Sequence, residues 1–129
     1  MASRFTELVI DCHDPGRLGP FWAELLDYEV HDMDLDGPQR YVHLRAPTGA
    51  GPVVLILATP DRKVSKNRIH IDLRATDRDQ GAEVERILAL GAQMVDIGQG
   101  DQSWTVMADP EGNEFCVQRS RVEPLGPAS

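Results

Sequence analysis

The sequence predicts an α+β fold built from two β-α-β-β-β modules. Three observations carry the prediction. Asp14 opens an apolar helical pattern, and Asp77 opens another 63 residues later. Ala46-Pro47-Thr48-Gly49 separates two apolar runs, and Asp109-Pro110-Glu111-Gly112 separates two more at the same offset. The chain of 129 residues therefore reads as two copies of one unit of about 60 residues. One helix on four strands would have a marginal core by itself. The economical expectation is a single domain over residues 1–129, with modules at about 5–60 and 67–119 and a tail at 120–129.

In the first module, Glu7 to Cys12 is short, apolar and rich in strand formers. Asp14-Pro15 pairs an N-cap residue with a proline at the first helical position, where its missing N–H costs nothing. Leu18, Phe21, Trp22, Leu25 and Leu26 then lie on one helical face. The helix is expected to stop near Asp27, a residue type that tolerates the left-handed conformation. Tyr28 to His31 reads as a strand, Asp34 to Gln39 as a turn around Gly37-Pro38, and Arg40 to Leu44 and Val53 to Ala58 as two more strands.

The second module repeats this order. Arg68 to Leu73 reads as a strand, and Asp77 as a helix cap with Gln80 completing a capping-box-like pair. Val84, Ile87 and Leu88 form the inward stripe, and Gly91 is a natural helix stop. Gln93 to Ile97, Trp104 to Ala108 and Glu114 to Gln118 are the strands that follow. Lys63 to Asn67 is a polar joint, and Arg121 to Ser129, with two prolines and a glycine, reads as a loose tail.

Composition removes several functions. Asp plus Glu total 21 against 13 Lys plus Arg, a formal charge of −8 that would repel a nucleic-acid backbone. No apolar run approaches the roughly 20 residues of a membrane helix, and the first residues lack the apolar stretch of a signal peptide. Cys12 and Cys116 form no CxxC motif. A cytoplasmic protein with two free thiols is the expectation, with no nucleic-acid or membrane partner. Asp32 to Gly37 matches the start of an EF-hand loop, but its twelfth position is His43 rather than Glu, so it reads as an acidic turn.

Several residues are candidates for ligand contact. Tyr41 and His43 alternate on one strand and share a face, and Trp104 is the repeat partner of Tyr41. Facing a cavity, these rings would stack on a planar ligand; facing outward, they are ordinary strand residues. Asp72 lies two residues after His70 on the same face, placed for an acid/base pair or for an ion pair with Arg68 or Arg74.

The stretch Leu8-Val9-Ile10-Asp11-Cys12-His13-Asp14-Pro15, followed by Phe21-Trp22, resembles the opening of the glyoxalase-like branch of the vicinal oxygen chelate superfamily. This superfamily takes in glyoxalase, bleomycin-resistance and dioxygenase proteins. Asn67 to Leu73 is similar to the opening of its second module, and Asp109 to Phe115 to its last hairpin. The resemblance implies that the sheets of both modules curl around a shared cleft. It implies a divalent ion, with zinc, nickel, iron or manganese as candidates, held at the first and last strands of each module. It also implies a homodimer.

Residue by residue, the implied first-strand ligands fall on Glu7 and His70, seven positions before Asp14 and Asp77. The implied last-strand ligand falls on Cys116, seven after Asp109, and Val53 to Leu57 offers no ligand at all. Glu114 is a weak substitute, because two strand residues span roughly 6.5–7 Å against a metal–oxygen bond of about 2.1 Å. The expected function is a glyoxalase-like protein with a degenerate metal site. It would bind or sequester a small, planar ligand through Tyr41, His43, Asp72, Trp104, Glu114 and Cys116. The alternative is a metal-dependent lyase, isomerase or dioxygenase-type enzyme using Glu7 and His70, and a ligand-free scaffold is the third class.

Overall fold

A computed structural model describes residues 1–96, 98, 100 and 103–126. The strands divide into two sheets of four, one in each of two units. The first unit spans residues 1–61 and takes in the chain from Leu125; the second spans 62–124.

In the first unit, β1 is Glu7–Cys12, α1 Pro15–Leu26, β2 Glu29–Asp34, β3 Tyr41–Arg45 and β4 Val53–Ala58. The sheet order is β1-β4-β3-β2, with β1 parallel to β4 and the other pairs antiparallel. Strand alternation sends Val42, Leu44, Val54 and Ile56 into the core together with Leu18, Phe21, Trp22 and Leu25 of α1. The Phe21 and Trp22 rings meet edge to face, 5.5 Å between centroids. Residues of low helix propensity, Gly16, Gly19 and Pro20, lie inside α1, so packing rather than propensity holds it. Gly19 lets α1 approach β3 closely, because a Cβ there would lie 3.1 Å from three atoms of Val42.

Asp27 ends α1 in the left-handed conformation at φ 55°, as its residue type predicts. Asp14 stands at the N-cap, where its carbonyl accepts the first bonds from Arg17 and Leu18. β2 differs from expectation. It runs to Asp34 rather than stopping at His31, and its register with β3 shifts between Val30 and Asp32. The shift is a bulge, which an alternation pattern does not reveal.

In the second unit, β5 is Asp72–Leu73, α2 Gln80–Ala89, β6 Gln93–Met94, β7 Thr105–Ala108 and β8 Glu114–Val117. The order β5-β8-β7-β6 repeats that of the first sheet. Both sheets are thus mixed, and the α+β architecture of two β-α-β-β-β modules is the one the repeat predicts. The inward stripe centres on Ile87, which is fully buried, and Gly91 at φ 119° lets Ala92 N bond back to the Ile87 carbonyl.

Three predicted features shift. Asp79, not Asp77, caps α2: its carboxylate accepts from Ala82 N at 2.8 Å, while Asp77 pairs with Arg78. Gln80 does not close a capping box; its amide donates to the carbonyls of Ser103 and Val117. β5 is two residues long rather than six, and Asn67, just before the predicted strand, bonds with Glu114. Of the strand predicted over Gln93 to Ile97, Ile97 lies outside the described residues. The stretch after Arg121 is also tied down: Val122 N donates to the Ala75 carbonyl.

Replacing Gly19 with Ala is expected to lower stability by about 1 kcal/mol, since overpacking against Val42 outweighs the better helix propensity. Chemical denaturation checks this, and Gly19→Ala combined with Val42→Ala should recover more than the single effects add to.

Candidate functional site

The first sheet has one face on α1 and one turned away from it. Cross-strand partners share a face, so the register fixes what the second face carries. One row runs Val9, Leu55, His43, Asp32, and the next runs Asp11, Leu57, Tyr41, Asp34. Glu7 and Val53 begin a third row, and Glu29 pairs with Arg45 at the other edge. The centre is thus aliphatic and aromatic, and both edge strands carry carboxylates. Val9 is 47% exposed, unusual for the middle of a strand rich in aliphatic residues, while Tyr41, His43, Leu55 and Leu57 are half-buried.

Tyr41 and His43 are therefore brought together on one face, as period-two alternation predicts. The Tyr41 hydroxyl donates to the Asp32 carboxylate at 2.8 Å. That bond, with some burial and the negative charge of Asp32 and Asp34, raises the phenol pKa above its ordinary value, so the proton stays committed to Asp32. His43 packs edge to face with His31, 5.1 Å between centroids. The His43 Nε2 is buried with no hydrogen-bond partner among the described residues. The sequence gives no warning of His31, because only the bulge in β2 brings it to His43.

The second unit holds the other candidates. Asp72 and Cys116 are direct partners across β5 and β8, and Glu114 lies two residues before Cys116 on the same strand. Trp104 lies just before β7 and is half-buried. His70 is exposed, with its Nε2 3.2 Å from both the Lys66 ammonium and the Asn67 carbonyl. One nitrogen cannot accept from the first and donate to the second in a single tautomer, so the two contacts alternate. Glu7 lies in the first unit, exposed at the start of β1.

Glu114 is saturated by its own module. Its side chain is 13% exposed and takes Lys63 Nζ at 2.9 Å on one oxygen and Asn67 N at 3.2 Å on the other. Burial alone would raise this carboxyl, but the bonds from Lys63 and Asn67 prevail and hold it below its ordinary value of 4.5. Cys116 is 6% exposed, and burial followed by the charge of Asp72 pushes its thiol up, which keeps the proton on sulfur. Asp109 organises the last hairpin: its buried carboxylate accepts from Glu111 N, Asn113 N and the Asn113 amide.

A glyoxalase-like domain model matches residues 7–118, nearly the whole chain. The chain belongs to the glyoxalase-like domain family. This places it in the vicinal oxygen chelate superfamily. Solved structures agree on the fold. The fosfomycin resistance protein FosX from Mesorhizobium loti is 15% identical, with 95% of each chain covered and a TM-score of 0.70. FosX from Listeria monocytogenes, complexed with Mn(II) and sulfate, is 18% identical over 96% of this chain and 98% of that one, at 0.72. A glyoxalase/bleomycin resistance protein/dioxygenase family enzyme from Burkholderia phytofirmans is 14% identical over 87% and 94%, at 0.64. No functionally curated protein sequence matches this glyoxalase-like chain.

The donors of the second unit do not fit the divalent ion that the family implies. Among the described residues, no three His, Cys, Asp or Glu side chains converge to hold one. Glu114 is already engaged by an ammonium and an amide, Cys116 offers a thiol rather than a thiolate, and the His70 Nε2 faces a lysine. Each contact competes with a metal for the same lone pair.

Glu114 supplies a pH prediction. A carboxyl held below its ordinary value stabilises the fold above about pH 4.5, and that contribution fades as pH falls through the lowered value. Glu114→Gln should lower stability by about 1 kcal/mol at neutral pH. Urea melts should show a smaller loss at pH 3.

Proposed function

We propose that the chain is a small-molecule-binding protein that takes a planar ligand on the open face of the first sheet without requiring a metal. The observation that carries this reading is the contrast between the two units. In the second unit, Cys116 at the implied last-strand ligand position is protonated, and Glu114, its weak substitute, is satisfied. On the first sheet, Tyr41 and His43 flank Leu55 and Leu57, and the His43 Nε2 has no hydrogen-bond partner among the described residues. A buried polar atom left unpaired costs about 1–3 kcal/mol, which a ligand hydrogen bond would recover. The aliphatic centre beside the rings gives a planar body a surface to lie on.

In this reading Tyr41 and His43 contact the ligand, and Asp72, Trp104, Glu114 and Cys116 shape the second module. The two modules act as one cooperative domain, since units of about 60 residues bury too little surface to be robust alone. FosX from Listeria monocytogenes was complexed with Mn(II) and sulfate; the present chain keeps that fold.

The test is a thermal-shift and calorimetric titration with 2-naphthylmethanol as a neutral planar probe. The chain should be stabilised equally with and without EDTA. His43→Ala and Tyr41→Ala should each weaken binding about tenfold, the loss of one hydrogen bond or ring contact. A response that needs Mn(II), or that His70→Ala abolishes, would replace this reading with the metal-dependent enzyme.

A further inference from the structure

The face turned away from α1 has a charge pattern as well as an apolar centre. Glu7 and Asp11 lie along the β1 edge, and Glu29, Asp32 and Asp34 along the β2 edge. The one cation in these rows, Arg45, lies 3.9 Å from Glu29, with both side chains about half exposed. The floor between the two edges is Val9, Leu55 and Leu57 with the Tyr41 and His43 rings. Carboxylates therefore stand on two opposite sides of an aliphatic and aromatic floor.

We infer that this face selects an organic cation, a planar apolar body carrying a protonated amine or amidine, and discriminates against anions. The inference rests on the binding reading above and adds the ligand's charge to it. Three features converge. The negative charge is distributed so that a cation at either end of a flat ligand meets a carboxylate. The Tyr41 hydroxyl donates its hydrogen bond to Asp32, so its oxygen has only acceptor capacity left for a ligand. A ligand on this face thus meets mainly acceptors, with His43 and the Glu29-paired Arg45 as the exceptions, and a protonated nitrogen is the group that supplies donors to acceptors. The rings add attraction, because an aromatic face draws cations.

The competing explanation is that these acids only guard two strand edges against pairing with other chains. Edge protection asks only that charges be present on the edge. It does not ask that Asp32 be held by a hydrogen bond to Tyr41 over the floor.

The experiment compares three probes of one shape on the full chain by calorimetry at neutral pH and low salt: 2-naphthylmethylammonium, 2-naphthylmethanol and 2-naphthoate. The ammonium should bind about tenfold tighter than the alcohol, and the carboxylate about tenfold weaker, the scale of a few exposed charges acting together. Raising salt to about 0.5 M should shrink both differences. Glu7→Gln and Asp32→Asn, each checked by thermal melting, should weaken the ammonium severalfold more than the alcohol. Equal affinities for all three probes would overturn the charge inference and leave the binding reading standing. Tighter binding of the carboxylate would overturn it too. Binding of none of the three would overturn both.

Discussion

One helix covers one face of a four-stranded sheet. In the first module α1 spends its apolar stripe on Val42, Leu44, Val54 and Ile56, and nothing in the alternation of a strand can place Tyr41, His43, Leu55 or Leu57 on that side. The close approach at Gly19 fixes how tightly the helix sits on β3. The second face is left over by this packing, and its side chains are free to serve a ligand rather than a core. The functional reading follows from that division.

The two modules share a topology but have diverged in what they do with the face away from the helix. In the first, the edge strand β2 is exposed throughout and the centre of the face is half-buried. In the second, Val106, Ala108 and Cys116 are buried as well as Met107, Phe115 and Val117, so β7 and β8 are covered on both sides. The polar groups that remain there are taken up internally. Lys63 and Asn67, from the joint before β5, hold Glu114, and β5 itself is only Asp72–Leu73. A strand that might have presented His70 in register ends as a loop whose hydrogen bonds hold the hairpin end of β8.

Much of this was legible in the sequence, for identifiable reasons. The repeat is written in local chemistry: Asp14-Pro15 before an apolar stripe, Asp27 at a helix end, Gly91 after another, Asp109 to Gly112 in a hairpin. Each works within a few residues, and Asp27, Gly91 and Asp109 appear in the structure as that chemistry demands, whereas Asp14 takes the N-cap position without a side-chain cap bond. The helix cap at Asp79 was not legible, because Asp77 and Asp79 are equivalent until Arg78 takes one of them. The bond between Asn67 and Glu114 joins residues 47 apart, and no local pattern encodes it. His31 reaches His43 only through a bulge, which breaks the periodicity from which faces are read. The pairing of Tyr41 with His43 was predictable from alternation; the hydrogen bond from Tyr41 to Asp32 was not.

The central claim is that binding lies on the first sheet and not at the inherited chelate positions. Amide chemical-shift mapping of the full chain tests it most directly, with 2-naphthylmethanol in one titration and Mn(II) in the other. The account predicts shifts concentrated at Val9, Tyr41, His43 and Leu55 with the planar probe. With stoichiometric Mn(II) it predicts only weak, unsaturable broadening. Saturable broadening centred on Glu7, His70 and Glu114, with Tyr41 and His43 unmoved by the probe, would contradict it.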